Sequence, residues 1–194
     1  MRRLFDLLVA LFLIALTSPL WVIMIIAIPL TTGGSPFFLH KRIGKGGEPF
    51  RLVKFRTMSP VDGISADLTV SGDKRITVIG RILRRFKLDE LPQLLNIVGG
   101  AMTFVGPRPE VAEFVEKFTP EQRDLLNYLP GLTDPASLKY RHEEKVLAGY
   151  PDPVAGYLSE VLPDKISLSL DYQRRRTVYS DLTIILKTIR AVFD

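Results

Sequence analysis

The chain contains no cysteine and only two histidines, His40 and His142. Without thiols there is no disulfide scaffold, no thiolate zinc site, no iron–sulfur cluster and no cysteine nucleophile. Two histidines 102 positions apart exclude a histidine-rich metal centre. There is no Gly-X-Y period, which excludes collagen. The apolar fraction of 46% excludes a disordered chain. What is present is 194 residues with 26 Lys and Arg against 21 Asp and Glu, a formal charge of +5. That length suits one domain with an appendage. The positive balance suits a phosphate-rich partner: nucleic acid, an anionic membrane or a nucleotide.

Charge is also missing locally. From Leu7 to Leu39 no side chain ionises, and Leu7 to Leu30 is almost purely apolar. Those residues would span about 36 Å as a helix, enough for a hydrocarbon core of roughly 30 Å. The run is too long for a signal peptide and contains Trp21 and two prolines. A helix apolar all round is rarely the core of so small a domain. A membrane segment over residues 1–32 is therefore expected, with a second domain over 33–194.

Its topology turns on Ser18-Pro19 and on the flanks. Pro19 removes a backbone donor and predicts a bend or break. The Ser18 hydroxyl can rebond the carbonyl that Pro19 frees. Arg2 and Arg3 precede the run, and Lys41, Arg42, Lys45, Arg51, Lys54 and Arg56 follow it, with Glu48 alone opposing them. Both flanks are basic and favour the cytoplasmic side, as in a re-entrant helix. A kinked helix that crosses remains the other reading.

The remainder reads as α+β, mainly α. Phe37–Leu39 and Phe50–Arg56 predict a small β-hairpin with one basic face about the turn at residues 44–49. Residues 59–75 read as a polar loop. Helices are predicted over 79–86, along Leu91, Leu94, Leu95 and Val98, along Val111, Phe114, Val115 and Phe118, and from Leu182 to Phe193. Each amphipathic helix either lies on the membrane or packs in the core.

Six basic residues and no acidic one lie between Lys74 and Lys87; Asp89-Glu90 and Pro92 follow. Pro92 belongs to a helix's first turn, so a helix is predicted to start near Asp89. Neighbouring cations are expected to lower the pKa of Asp89. Such a carboxylate binds a divalent cation or attacks phosphorus, or else it merely caps the helix. Arg108, between Pro107 and Pro109, suits bidentate phosphate binding or is a stiffened surface loop. Lys54 and Arg56 form a solvated face or a second phosphate clamp. Arg174-Arg175-Arg176 reads as a solvated or headgroup-binding cluster.

Together these motifs resemble the small monotopic phosphoglycosyl transferases, bacterial sugar transferases that act on a polyprenyl phosphate. The resemblance rests on Arg3-Leu4-Phe5-Asp6, Ser18-Pro19, Lys54-Phe55-Arg56-Thr57-Met58, Leu88-Asp89-Glu90-Leu91-Pro92-Gln93-Leu94 with Asn96, Phe104-Val105-Gly106-Pro107-Arg108-Pro109, and Ser180-Asp181-Leu182. It covers nearly the whole chain, and the joint order of the motifs is specific.

The resemblance implies a re-entrant helix broken at Ser18-Pro19, with both ends cytoplasmic at the bacterial inner membrane. It implies that Asp89 attacks the β-phosphorus of a UDP-sugar, releases UMP and holds the phospho-sugar until a polyprenyl phosphate, such as undecaprenyl phosphate, accepts it. Glu90 completes the catalytic pair, and Arg84 and Arg108 hold phosphate. Magnesium (Mg2+) assists close to Asp89. The chain departs from the family pattern at Ala101, where a carboxylate is usual, at Lys87, where Thr or Ser is usual, and over Asp134-Pro135-Ala136-Ser137. The last departure leaves the sugar open. Membrane lipid is an expected partner; a second copy of the chain or other glycan-pathway enzymes are open as further ones. A catalytically silent membrane scaffold is the alternative, opposed by the intact Asp89-Glu90. A nucleic-acid binder is disfavoured because the basic stretches lack interleaved aromatics.

Overall fold

The computed structural model describes residues 2–59 and 75–193. The predicted loop over 59–75 lies almost entirely outside the described residues. The elements, in order, are α1 (Arg2–Thr32), β1 (Phe37–Ile43), β2 (Pro49–Phe55), α2 (Val78–Arg85), α3 (Gln93–Val98), β3 (Thr103–Val105), α4 (Ala112–Glu116), β4 (Gly131–Thr133), α5 (Pro135–Lys139), α6 (Glu143–Leu147), α7 (Pro153–Gly156), α8 (Leu162–Arg175) and α9 (Val178–Phe193). The fold is mostly helical with little sheet, as the patterning predicts.

Among the described residues, α1 is the one helix long and apolar enough to cross a membrane. It does not break at Ser18-Pro19: the helix runs on through Pro19 and Pro29. The reason is local. Pro19 has no N–H for the carbonyl of Ala15, and the Ser18 hydroxyl donates to that carbonyl at 2.8 Å instead. One face of α1 packs on the rest of the chain at both ends. Ala10 is buried against Leu94, Ile97 and Met102. Ile28 is buried against Phe55 and Leu83, with Trp21 edge-on to Phe55 at 5.4 Å. The other face, including Leu8, Phe12, Leu16 and Leu30, is exposed. An exposed apolar stripe of this length needs a non-aqueous neighbour, and membrane association supplies it.

The hairpin forms as predicted, with β1 extended to Ile43. β1 and β2 pair antiparallel, from Phe37 opposite Phe55 to Ile43 opposite Pro49. Its β2 edge is closed by a side chain. Asn96 of α3 accepts from the Val53 N–H at 2.9 Å and donates to the Arg51 carbonyl at 2.7 Å. One amide thus satisfies two edge groups and sets α3 against β2.

A second sheet is not visible in the sequence pattern. β3 and β4 pair in parallel, Thr103 opposite Gly131 and Val105 opposite Thr133. Three-residue strands carry too little periodicity to read. The pair depends on two glycines at the point of crossing. A Cβ on Gly131 would lie 2.1 Å from the Gly106 nitrogen, and one on Gly106 would lie 2.5 Å from the Leu129 carbonyl. The close approach lets Gly131 N–H donate to the Pro107 carbonyl at 2.9 Å, anchoring the Pro107–Arg108–Pro109 turn.

The amphipathic helices divide. The α4 face of Val111, Phe114, Val115 and Phe118 is buried with Leu125, Tyr157 and Ile166, so it is core and not an interfacial surface. α9 behaves differently. Ile184 is buried, whereas Tyr179 is 82% and Leu186 67% exposed, alongside Leu182 and Ile189. The exposed stripe of α9 fits a membrane surface. Along α2 and its C-cap, Val78, Ile82 and Phe86 are exposed at one-turn spacing.

One expectation about charge changes, and the stretch that departs from the family pattern takes a structural role. Arg176 is not headgroup-facing: its guanidinium pairs with Asp181 at 3.0 Å and donates to Gln173 at 3.1 Å. The departing stretch at 134–137 is a helix cap. Asp134 is fully buried, accepts from the Ser137 N–H at 2.8 Å and hydroxyl at 2.7 Å, and is bonded by the Ser169 hydroxyl. The carboxylate is thus committed to starting α5 and joining it to α8.

Candidate active site

The acidic pair sits on a tight turn and not inside a helix. Lys87 has φ 55°, the one non-glycine positive value among the described residues. It leads into a 3-10 turn over Leu88–Glu90, and α3 begins only after Pro92. Left-handed backbone costs a lysine about 1 kcal/mol or more, a cost tolerated where the surrounding fold over-determines the turn. The result separates the two neighbours: Asp89 points inward and Glu90 faces a group of cations.

Asp89 is 8% exposed. Its Oδ1 is buried without a hydrogen-bond partner. It is therefore no helix cap, which would accept from a backbone N–H two or three residues on. The expected lowering of its pKa does not occur. Burial pushes the carboxyl up and Glu90 adds to that, outweighing Lys54, Lys87 and Arg84. The cations are close enough to act, but too little water remains to solvate the charge.

Glu90 is fully engaged. Arg108 donates from Nη2 to its Oε1 at 2.6 Å and from Nη1 to its Oε2 at 3.4 Å. Lys54 donates to the same Oε1 at 3.4 Å. Burial alone would raise the Glu90 carboxyl, but Arg108 and Lys54 hold it well below the usual carboxylate range. Lys54 is lowered by burial, which Glu90 only partly offsets. The four side chains Lys54, Asp89, Glu90 and Arg108 come from β2, the 3-10 turn and the Pro-Arg-Pro turn, and their formal charges cancel.

Arg84 approaches from α2. Its Nε donates to the Thr57 hydroxyl at 2.9 Å. Thr57 is buried. Its carbonyl accepts from the Thr77 N–H at 3.1 Å, and Thr77 caps α2. The fold thus brings Lys54, Arg84, Asp89, Glu90 and Arg108 to one end of the hairpin. It does not bring Arg56 there. That guanidinium donates to the Ser35 carbonyl at 2.8 Å and to the Phe37 carbonyl at 3.4 Å, and stacks near Phe38. It closes the junction between α1 and β1.

No cluster of three or more His, Asp or Glu suited to a metal occurs among the described residues. Mg2+ does not require one, since it keeps waters and takes one or two carboxylates together with substrate phosphates. The orphaned Asp89 Oδ1 fits one such ligand.

Two supports were not legible as functional. Asn96 locks α3 to β2 and so sets Glu90 against Lys54. Glu110, beyond Pro109, is buried, bonded by Lys165 and Tyr157, with the half-buried Arg42 3.7 Å away. The signal available was faint: Lys165 interrupts the apolar face of Leu162 and Ile166.

Lys54, Glu90 and Arg108 thus form one charged cluster beside the buried Asp89, with Arg84 nearby, on a domain packed against an apolar helix. Residues 1–194 match the family model of the bacterial sugar transferases, and the chain belongs to that family. It is 35% identical over 192 residues to the UDP-glucose:undecaprenyl-phosphate glucose-1-phosphate transferase of Caulobacter vibrioides, covering 97% of this chain and 68% of that protein. It is 32% identical to the exopolysaccharide production protein ExoY of Rhizobium meliloti, covering 98% of this chain and 84% of ExoY. It is 33% identical to a UDP-N-acetylgalactosamine-undecaprenyl-phosphate N-acetylgalactosaminephosphotransferase of Aeromonas hydrophila, covering 98% of this chain and 43% of that protein.

Proposed function

We propose that the chain is a phosphoglycosyl transferase that moves a sugar phosphate from a UDP-sugar to a polyprenyl phosphate, undecaprenyl phosphate by analogy with the relatives' names. The observation that carries this reading is the Asp89 carboxylate: buried, with an unpartnered oxygen, and adjacent to a Lys–Glu–Arg cluster. A carboxylate poor in hydrogen bonds has little solvation to shed before it attacks.

In the first step an Asp89 oxygen bonds to the β-phosphorus. The bond from that phosphorus to the bridging oxygen breaks, and UMP leaves with the bridging oxygen. An aspartyl phospho-sugar remains. In the second step a phosphate oxygen of the polyprenyl phosphate attacks the same phosphorus. The acyl phosphate bond breaks, the Asp89 carboxylate returns, and the product is a polyprenyl diphosphate sugar. Both steps bring anion to anion, so positive charge must be in place beforehand. Arg108 and Lys54, held by Glu90, and Arg84, held by Thr57, supply it. Mg2+, with Asp89 as one ligand, would add further charge neutralisation when bound.

The proposed setting is the cytoplasmic face of the bacterial inner membrane, with α1 held in one leaflet and both of its ends on the cytoplasmic side. Support comes from both ends of α1. Arg3 donates to the Val98 carbonyl at 2.8 Å, and Asp6 accepts from the Thr103 hydroxyl at 2.6 Å. Near the other end, Ile28 is packed under Phe55 and Leu83. A helix bound at both ends to one domain keeps both ends on that domain's side. The reaction would begin assembly of a lipid-linked glycan such as an exopolysaccharide.

The test is intact-protein mass spectrometry of the purified chain with Mg2+ and a panel of UDP-sugars, without lipid acceptor. The panel includes the glucose and N-acetylgalactosamine donors of the relatives. An added mass of one phospho-sugar, absent in Asp89→Asn, is the expected result. A folded protein that takes up no adduct and releases no UMP with any donor refutes the reading and favours a silent scaffold.

A further inference from the structure

Beneath the Pro107–Arg108–Pro109 turn lies a second buried charge cluster, which the chemistry above does not use. Glu110 accepts from the Tyr157 hydroxyl at 2.7 Å and from Lys165 Nζ at 3.3 Å, and Arg42 stands 3.7 Å from its other oxygen. Lys165 also donates to Glu143 at 2.8 Å and to the Tyr157 oxygen at 2.9 Å. The groups come from β1, the turn, α6, the π-helical turn before α8, and α8 itself. Two carboxylates and two cations balance. Glu110 and Lys165 are each buried, so removing either partner strands a charge.

The cluster grips the turn through its backbone as well. Arg42 Nη1 donates to the Pro109 carbonyl at 3.3 Å, and the Ile43 N–H donates to the Glu110 carbonyl at 2.9 Å. Pro107 and Pro109 have no N–H, so the turn cannot be pinned by donors of its own at those positions. It is pinned from outside: by Gly131 on one side and by the Glu110 cluster on the other. One rigid proline separates Glu110 from Arg108. A displacement of Glu110 therefore passes to the Arg108 backbone with little loss. At the far end of its side chain Arg108 reaches Glu90 at 2.6 Å.

We propose that Glu110, locked by Lys165, Tyr157 and Arg42, is a positioning residue that sets the Arg108 guanidinium against Glu90 and the donor's phosphates. The inference rests on the reading of Arg108 as a phosphate holder. It deepens that reading by assigning a task to a buried ion cluster that would otherwise serve stability alone. Buried ion pairs are weak evidence for stability, since apolar residues of similar volume often do as well. A positioning task gives this one a function.

Two readouts test it on the full chain in nanodiscs. The first needs no activity: phenylglyoxal modification of Arg108, followed by peptide mass spectrometry. Arg108 in Glu110→Gln is expected to react about tenfold faster than in the unmodified protein, and in Tyr157→Phe a few-fold faster, the size of coupling usual between networked residues. Tyr157→Phe removes one hydroxyl and keeps the test open if Glu110→Gln fails to fold. An unchanged Arg108 rate in both variants overturns the proposal.

The second readout is kcat/KM for a UDP-sugar that the unmodified protein turns over. Glu110→Gln is expected to cost about tenfold there and less than about twofold in an Arg108→Lys background, because its effect passes through the arginine. An equal loss in both backgrounds, or a lowered Tm with kcat/KM unchanged, overturns the proposal. If the unmodified protein turns over no UDP-sugar, the functional reading falls, and the phenylglyoxal rates still decide the link from Glu110 to Arg108.

Discussion

Replacing Gly80 by alanine puts a methyl group where α2 crosses the chain at Thr57. The new Cβ would lie 2.0 Å from the Thr57 carbonyl oxygen, 2.8 Å from its carbon and 2.9 Å from its Cα. All three are backbone atoms, and Thr57 is held in place by Thr77, so none can swing aside. To reach ordinary contact at 3.4 Å, the helix must retreat by about 1.4 Å. Arg84 rides on that helix one turn later. Its bond to the Thr57 hydroxyl, at 2.9 Å, has about 0.6 Å of slack before it ceases to be a hydrogen bond. The retreat exceeds the slack, so Arg84 loses its anchor. Overpacking costs roughly 1–3 kcal/mol, against about 1 kcal/mol gained from alanine's helix propensity. The net stability loss is therefore about 1 kcal/mol. The effect on chemistry is larger, since a displacement near 1 Å in a positioned group costs about 100-fold. The assay is quenched single-turnover formation of the phospho-sugar adduct, read by intact mass. Arg84→Ala and the Gly80→Ala/Arg84→Ala pair serve as controls, and the pair should be no slower than Arg84→Ala alone. Adduct formation by Gly80→Ala at the unmodified rate, with Tm equal or higher, refutes both the steric account and the role given to Arg84.

Three further outcomes are expected. Asp89→Asn should abolish the adduct yet raise stability by roughly 1 kcal/mol, or about 2–4 °C in Tm; burial raises the Asp89 carboxyl above its ordinary value, so its charge destabilises the fold at neutral pH. A lowered Tm would refute this. Glu90 has the opposite sign. Its carboxyl is held below the ordinary 4.5, so its stabilisation is complete above that pH and is lost as pH falls through the lower folded value. Melting curves from pH 7 to 2 should fall steeply below about pH 4.5, and less so in Glu90→Gln. Single cysteines placed ahead of Met1 and at Lys45 should both label from the cytoplasmic side; the chain has no cysteine of its own, so there is no background. Labelling from opposite sides would exclude the re-entrant arrangement.

The sequence alone determined what is local or periodic. Twenty-four nearly uninterrupted apolar residues specify a membrane-competent helix, because hydropathy needs no partner to be read. Alternation about a glycine-rich turn specifies the hairpin. Bracketing prolines restrict Arg108, and Asp89-Glu90 before Pro92 marks the start of a helical stretch. The ordered motifs were also enough to place the chain in its family.

The tertiary structure decided what depends on atoms far apart in the chain. Lys54 reaches Glu90 across 36 positions and Tyr157 reaches Glu110 across 47. No sequence spacing encodes those distances. The pKa of Asp89 rises because burial outweighs the nearby cations, and burial is a property of the packed molecule. Arg56 and Lys54 share a motif but part company, since the strand ends between them and Arg56 turns to the carbonyls of Ser35 and Phe37. The helix survives Pro19 because one hydroxyl finds one carbonyl. The apolar face of α4 is core while that of α9 is open, although both show the same helical pattern: amphipathicity states that a face will be covered, and only the packing states by what.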